Sequence, residues 1–506
     1  MILYSTNNKD NKVSFREALL QGLADDGGLF MPETLPHFSP SFLNSLRGLS
    51  FGELSFRLAR EIFAQEILSG EIPERDLKRI ISNALNFDAP LVHLNDEISV
   101  LELFHGPTLA FKDFGARFLA GMISHFGIER TVVLVATSGD TGSAVANGFH
   151  NVPGVDVVIL YPSGMVSKIQ EQQLTTLGGN VTALEVNGTF DDCQRMVKEA
   201  FADTTLRKRL NLTSANSINI ARLLPQSFYY FYAASQLSTH QSYPAGDASH
   251  LTDDTSQLTT SQSSSAGDPS HLTDNSSQLT GERPLVFSVP SGNFGNLTAG
   301  LLAMQMGLPV HCFIAAVNSN DIFPNYLQTG VFSPKPSVST LSNAMDVGNP
   351  SNFARINSLY NSAVAAGKVI FSRSYSDSQT IEAIREIYTR HNYLMDPHGA
   401  VGYLALKEYL ACQPGDSCQQ DSLLQNSTPL DLGNLQNYAA RHTNFNSIIL
   451  ETAHPAKFAE TVESATGTKV KIPDSLERCL QLEKRSKKIE VDTLARVVDL
   501  KDFCGN

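Results

Sequence analysis

Apolar residues recur along this chain in two rhythms. In Glu53-Leu54-Ser55-Phe56-Arg57-Leu58-Ala59-Arg60-Glu61-Ile62-Phe63 they fall at helical spacing, so residues 1–95 are expected to form a mostly helical N-terminal region. From about Val100 short apolar runs take over. Residues 132–136, 155–161, 181–186, 285–289 and 310–317 read as strands, and residues 142–149, 190–201 and 297–306 fit helices. Strands alternating with helices imply an α/β architecture with largely parallel sheets. At 506 residues the chain is too long for a single compact core, so two or more domains are expected.

Two stretches break the pattern. Residues 236–283 are almost all Ser, Thr, Gln, Asp, Gly and His, and carry a tandem repeat in which 236–256 and 257–277 match at about 14 of 21 positions. Such a composition cannot bury a core, so a disordered, exposed insertion is expected. His250 and His271 occupy equivalent repeat positions; two histidines in a polar repeat do not make a metal site, and no metal is expected. Residues 412–444 are similarly polar and read as a second loop insertion.

Composition narrows the partners. Hydrophobic residues make up 42% and charged residues 18% of the chain, the balance of a globular protein. A net charge of −13 argues against nucleic acid or an anionic membrane as partner. The six cysteines show no CxxC pairing or regular framework, which reads as unpaired thiols in a reducing compartment. No apolar run approaches the roughly 18 residues of a membrane span. The first residues, Met1-Ile2-Leu3-Tyr4-Ser5-Thr6, lack the basic and apolar regions of a secretory signal. A cytoplasmic location is the expectation.

The candidate chemistry centres on Lys112, in Leu103-Phe104-His105-Gly106-Pro107-Thr108-Leu109-Ala110-Phe111-Lys112-Asp113-Phe114. Lysine is strongly hydrated and seldom buried without a purpose. In an apolar setting it loses part of its preference for the charged form, and a neutral amine can form a Schiff base with an aldehyde. A surface lysine at a helix start is the alternative. Two Gly-rich loops shift the balance. Residues 132–136 run into Thr137-Ser138-Gly139-Asp140-Thr141-Gly142, and residues 284–290 run into Ser291-Gly292-Asn293-Phe294-Gly295-Asn296. Small residues at a strand-to-helix turn let backbone N–H groups approach an oxyanion. Neither loop matches the dinucleotide fingerprint or the P-loop.

These motifs resemble the threonine synthase family. His105-Gly106-Pro107-Thr108 with Ala110-Phe111-Lys112-Asp113 is similar to its cofactor-lysine motif. Residues 22–32, 136–144, 216–222, 289–296 and 451–458 resemble further family segments in the same order, over roughly residues 1–235 and 284–480. The resemblance implies a fold-type II pyridoxal-phosphate enzyme, tryptophan synthase β-like. Two interleaved α/β domains with parallel-rich sheets, over 96–235 and 284–480, would flank the cofactor cleft, with a C-terminal segment over 481–506. It implies that Lys112 holds pyridoxal 5'-phosphate as a Schiff base. Gly292, Asn293, Phe294, Gly295 and Asn296 would bind the cofactor phosphate, and Thr452 would offer its hydroxyl to the pyridine nitrogen. Ser138, Gly139, Asp140 and Thr141 would bind the substrate carboxylate and the cofactor's ring oxygen. Asp140 is the awkward member, because a carboxylate repels such an oxygen unless a proton is shared.

The implied reaction is a carbon–oxygen lyase reaction that turns O-phospho-L-homoserine and water into L-threonine and phosphate. Arg222 is the first candidate for the substrate phosphate, since a guanidinium matches phosphate bidentately; Lys168 and Asn219 come next. His105 and His454 could flank the ring or simply pack. The expected protein is a monomer or homodimer. Two other readings use the same residues: a related phospho-lyase or dehydratase giving 2-oxobutyrate, and a non-catalytic paralogue that binds a partner.

Overall fold

Three short strands, β1 (Ile2–Ser5), β2 (Lys12–Ser14) and β3 (Phe30–Pro32), form an antiparallel sheet in the order β2-β1-β3. The structure is a computed structural model. It describes residues 1–127, 131–203, 206, 210–237, 283–412 and 444–492. Helices Phe51–Ile62 and Glu74–Ala84 follow the small sheet and bury one face each, through Leu54, Leu58 and Ile62 and through Leu77, Ile80 and Ile81.

The remaining strands are β4 (Leu91–His93), β5 (Ile98–Glu102), β6 (Thr131–Ala136), β7 (Val155–Pro162), β8 (Val181–Asn187), β9 (Asn211–Ser214), β10 (Leu285–Pro290), β11 (Val310–Val317), β12 (Ile370–Ser374), β13 (Asn446–Glu451) and β14 (Ser486–Glu490). They build two sheets. One has the order β12-β11-β10-β13-β5-β4, parallel except for the edge pair β4–β5, and the other is the all-parallel β14-β8-β7-β6-β9. Every residue of β6 and of β10 is buried. Helices on both faces of a parallel sheet require that, and it makes these strands near-continuous apolar runs. The chain leaves the six-stranded sheet after β5, completes most of the five-stranded one, and returns at β10, so the two α/β units are interleaved.

Two boundaries differ from expectation. β4 lies inside the region read as helical, and β14 lies inside the C-terminal segment 481–506, yet both pair into the α/β sheets. Each is an edge strand with polar or charged positions, Ser486-Lys487-Lys488-Ile489-Glu490 in β14. Edge strands carry such residues without penalty, which hides them from a hydrophobicity reading. Cys412 is disulfide-bonded, its partner outside the described residues, whereas Cys193, Cys312 and Cys479 are free. The expectation of unpaired thiols therefore fails at Cys412, because sequence spacing does not reveal which thiols a fold brings together. The repeats and most of the second polar stretch lie outside the described residues. Gln236 belongs to the end of the helix Phe228–Leu237 rather than to the insertion, and its amide bonds the backbone at Ala89 and Leu91.

Candidate active site

Loops at the C-terminal ends of β5, β6, β10 and β13 meet, the place where open parallel sheets bind ligands. The loop after β5 carries Lys112 as the first residue of the helix Lys112–Phe126. That loop is folded around Asp113, whose carboxylate accepts from the Thr108 N–H (2.8 Å) and hydroxyl (2.7 Å). A Cβ on Gly106 would stand 2.5 Å from Asp113 Oδ2, so the Gly at that point is required for the closure. Burial raises the Asp113 carboxyl to about 6, against the two Thr108 bonds.

The segment after β13 laces onto the same loop. Phe111 N–H donates to the Thr452 carbonyl (2.9 Å), His454 N–H donates to the Leu109 carbonyl (3.0 Å), and Ala110 bridges Ala453. Thr452 and Lys112 are thereby fixed relative to each other. His454 is pushed down to about 4 by burial and then by His105 beside it, and its ring packs edge-on against Phe104.

Lys112 Nζ lies 3.7 Å from Asp140 Oδ2, and Lys457 Nζ lies 2.6 Å from Asp140 Oδ1; the three side chains are 12%, 3% and 0% exposed. Gln170 Nε2 donates to the same Asp140 oxygen (2.9 Å), and Lys457 Nζ also donates to the Thr108 carbonyl (3.0 Å). Burial lowers the Lys112 amine to about 8, with Asp140 opposing the shift and Arg222 and Lys457 adding to it. Burial by itself would raise the Asp140 carboxyl, but Lys457 and then Lys112 outweigh it and hold it well below the usual carboxylate range. Asp140 can therefore sit at an anionic site, because its charge is taken up within the protein. Gly139, at φ 134°, turns the chain into this position, and a Cβ there would meet the Gln170 side chain at 2.5 Å.

Across the cleft, the loop after β10 enters the helix Gly295–Gln305 through Phe294, in the left-handed region at φ 57°. No side chain caps this helix, so its first N–H groups keep their capacity for an outside acceptor. Asn296 accepts from the Tyr229 (2.6 Å) and Tyr230 (2.8 Å) hydroxyls, while its Nδ2 is buried with no protein partner. An uncapped helix start, an orphaned buried donor and a desolvated lysine fit a phosphorylated aldehyde.

Ser138 and Thr141 are half-buried beside Asp140. Arg222 is buried next to Lys112; its Nη1 donates to the Ala215 carbonyl and its Nε is a buried donor with no protein acceptor. Burial lowers it to about 10, against the charge of Asp113. Asn219 is fully buried and bonds backbone. Its Nδ2 donates to the carbonyls of Leu19 (2.9 Å) and Ser214 (3.1 Å), and its Oδ1 caps Ala221 N–H (3.1 Å). Its amide is spent on backbone, and so it shapes the loop that carries Arg222. Lys168 is exposed at the start of the helix Lys168–Thr175 and makes no ion pair among the described residues.

Comparison with known proteins decides the family. "Threonine synthase N terminus" matches residues 3–85, "Pyridoxal-phosphate dependent enzyme" matches 86–237 and 275–418, and "Threonine synthase, C-terminal" matches 434–500. The threonine synthases of Serratia marcescens and Escherichia coli are each 39% identical over 477 residues, covering 94% of this chain and 93% and 94% of theirs. The chain belongs to the threonine synthase family. It is a pyridoxal-phosphate-dependent lyase with threonine synthase activity. The crystal structure of Escherichia coli threonine synthase superposes with a TM-score of 0.78 at 38% identity, covering 98% of both chains. That of a PLP-bound threonine synthase from Brucella melitensis gives 0.77 at 30% identity, over 100% of this chain and 99% of the other. These matches carry the fold-type II architecture. The threonine synthase site here contains participants that the sequence left without roles: Lys457, Gln170 and Asp113. Lys457 stood in a family-like segment, and Asp113 beside the candidate lysine; nothing local marked Gln170. Among the described residues no helix is long and apolar enough to cross a membrane.

Proposed function

We propose that the cleft around Lys112 converts O-phospho-L-homoserine and water to L-threonine and phosphate through a division of labour among the residues above. The observation that carries this reading is the Lys112 amine, lowered to about 8 and 3.7 Å from a carboxylate that Lys457 neutralises. When bound, pyridoxal phosphate supplies an aldehyde for amines and a ring that withdraws electrons from the substrate's Cα. Lys112 Nζ would hold the cofactor through its aldehyde and would carry protons to and from the substrate's Cα and Cβ. The backbone N–H groups of Gly292, Asn293, Phe294, Gly295 and Asn296 hold the cofactor phosphate. Thr452 would offer its hydroxyl to the pyridine nitrogen, a partner too weakly acidic to protonate it fully, which would favour elimination over transamination. Ser138, Gly139 and Thr141 take the substrate carboxylate. Asp140, its charge offset by Lys457, would lie toward the ring oxygen.

Arg222, with its unused Nε–H, takes the substrate phosphate. Lys168 at the rim is the second candidate. The acidic chain is assigned to the cytoplasm, as a monomer or homodimer. The test is product identification: holoenzyme with phosphohomoserine is expected to release phosphate and L-threonine in equal amounts. Release of 2-oxobutyrate instead would mean a dehydratase, and no turnover would mean a binding paralogue.

A further inference from the structure

Arg355, in the helix Phe353–Tyr360, is fully buried, and its five N–H groups all reach neutral oxygens. Nε donates to the Phe30 carbonyl (3.1 Å). Nη1 donates to the Ser217 carbonyl (2.9 Å) and Asn352 Oδ1 (2.6 Å), and Nη2 to the carbonyls of Phe30 (3.1 Å) and Ile218 (2.6 Å). Among the described residues no carboxylate pairs with it, in contrast to Lys457. Burial pushes the guanidinium down to about 9, and no charged neighbour opposes the shift. A buried charge without a counter-ion is costly and rarely kept without a purpose.

Its neighbours indicate where the counter-ion belongs. Asn352 Nδ2 donates to the Asn293 carbonyl (2.9 Å) and to Ser217 Oγ (3.0 Å), and Asn293 Nδ2 donates to the same Ser217 Oγ (2.9 Å). Ser351 N–H donates to Asn293 Oδ1 (2.5 Å), and a Cβ on Gly295 would stand 3.0 Å from the Ser217 Cβ. Arg355 is thus one residue behind the loop 292–296, and it ties that loop to β3 through Phe30 and to the turn 217–218.

We propose that Arg355 is a positioning residue of the cofactor-phosphate loop and that the dianionic cofactor phosphate is its missing counter-ion. This rests on the reading that the phosphate sits on residues 292–296. In a water-poor setting a dianion interacts strongly even with a cation it does not touch. The substrate phosphate has the same chemistry, so the experiment must separate the two.

Full-length apoprotein is titrated with pyridoxal phosphate and with pyridoxal, followed by absorbance. Arg355→Gln is expected to weaken pyridoxal phosphate by roughly 10- to 100-fold and pyridoxal by no more than about threefold. Arg355→Lys keeps the charge and should restore most of the difference between the two ligands. Where Arg355→Gln does not fold, Arg355→Lys alone decides: kept discrimination between pyridoxal phosphate and pyridoxal supports the charge, and its loss overturns the proposal. Equal weakening of both ligands would reduce Arg355 to a structural tie and overturn the proposal. So would unchanged cofactor affinity with a raised KM for phosphohomoserine, which would make the substrate phosphate the counter-ion. Gly295→Val in parallel tests the loop itself: if it binds pyridoxal phosphate normally, the loop assignment fails regardless of Arg355.

Discussion

The ammonium of Lys457 and the carboxylate of Asp140 meet 2.6 Å apart with both side chains shut off from solvent. The pair removes the difficulty of a carboxylate at an anion-binding site. It also sets the field at Lys112, which shares the same carboxylate from the other side. Asp140 raises the Lys112 amine, while Lys457 lowers it. The two partners therefore act on Lys112 with opposite sign.

In apoprotein the reactivity of Lys112 toward an aldehyde should rise with pH around a midpoint of about 8, because only the neutral amine attacks. Asp140→Asn removes the stabilising anion and should move that midpoint down. Lys457→Met removes a repelling cation and should move it up. Breaking a buried pair from one side costs about 3–5 kcal/mol, so both variants are also expected to melt earlier. Midpoints shifting in the same direction would show that the pair does not control Lys112.

Arg222→Ala should lower kcat/KM for phosphohomoserine by the roughly 2–4 kcal/mol expected for a lost charge-assisted phosphate contact, while sparing cofactor occupancy. Gly295→Val should do the reverse, because its side chain crowds Ser217 and blocks the approach to the backbone. Steady-state kinetics together with cofactor absorbance distinguish them. If Arg222→Ala strips the cofactor, or leaves the kinetics untouched, Lys168 is the next residue to vary.

Gly139→Ala combines a left-handed backbone with a contact against Gln170, whose amide steadies Asp140. Strain of this kind is worth about 1–3 kcal/mol. A lower melting temperature and a raised KM are expected together. A variant with wild-type KM would mean that the turn at Gly139 is not part of the substrate site.

Deleting residues 238–281 and closing the gap with a short Gly/Ser linker should preserve kcat within about tenfold, since loop-closure entropy changes slowly with length. The ends flanking the deletion are anchored on one region, Gln236 on Ala89 and Leu91, and Arg283 on the Asp96 carbonyl (2.8 Å). The pyridoxal-phosphate family match skips residues 238–274 as well. A large fall in cofactor affinity would mean that the repeats contribute to the site.

What could be read from sequence follows from the length of each apolar run and from where the strand sits. β6, β7, β10 and β11 lie inside their sheets as long, mostly apolar runs, and β8 alternates apolar with polar positions, which made them visible; β5 and β13 also lie inside but hold only Ile98, Val100 and Leu101 or Ile448, Ile449 and Leu450 between polar residues, and did not stand out. The edge strands β4, β9 and β14 mix polar residues into short runs and did not stand out. Lys112 and the two glycine loops declared themselves through local chemistry. Lys457 could not, because its partner Asp140 is distant in the chain and only the fold joins them. The backbone bonds of Asn219 were equally hidden: it lies in a family-like motif, and only the fold shows that its amide builds the turn before Arg222.

Two lysines, Lys112 and the fully buried Lys457, approach one carboxylate, and the cofactor belongs on only Lys112. Borohydride reduction of the holoenzyme followed by peptide mapping tests this directly. The pyridoxyl group is expected on Lys112, with Lys457 unlabelled and Lys112→Ala folded but unlabelled and inactive. A pyridoxyl group on Lys457, or a labelled and active Lys112→Ala protein, would contradict the account.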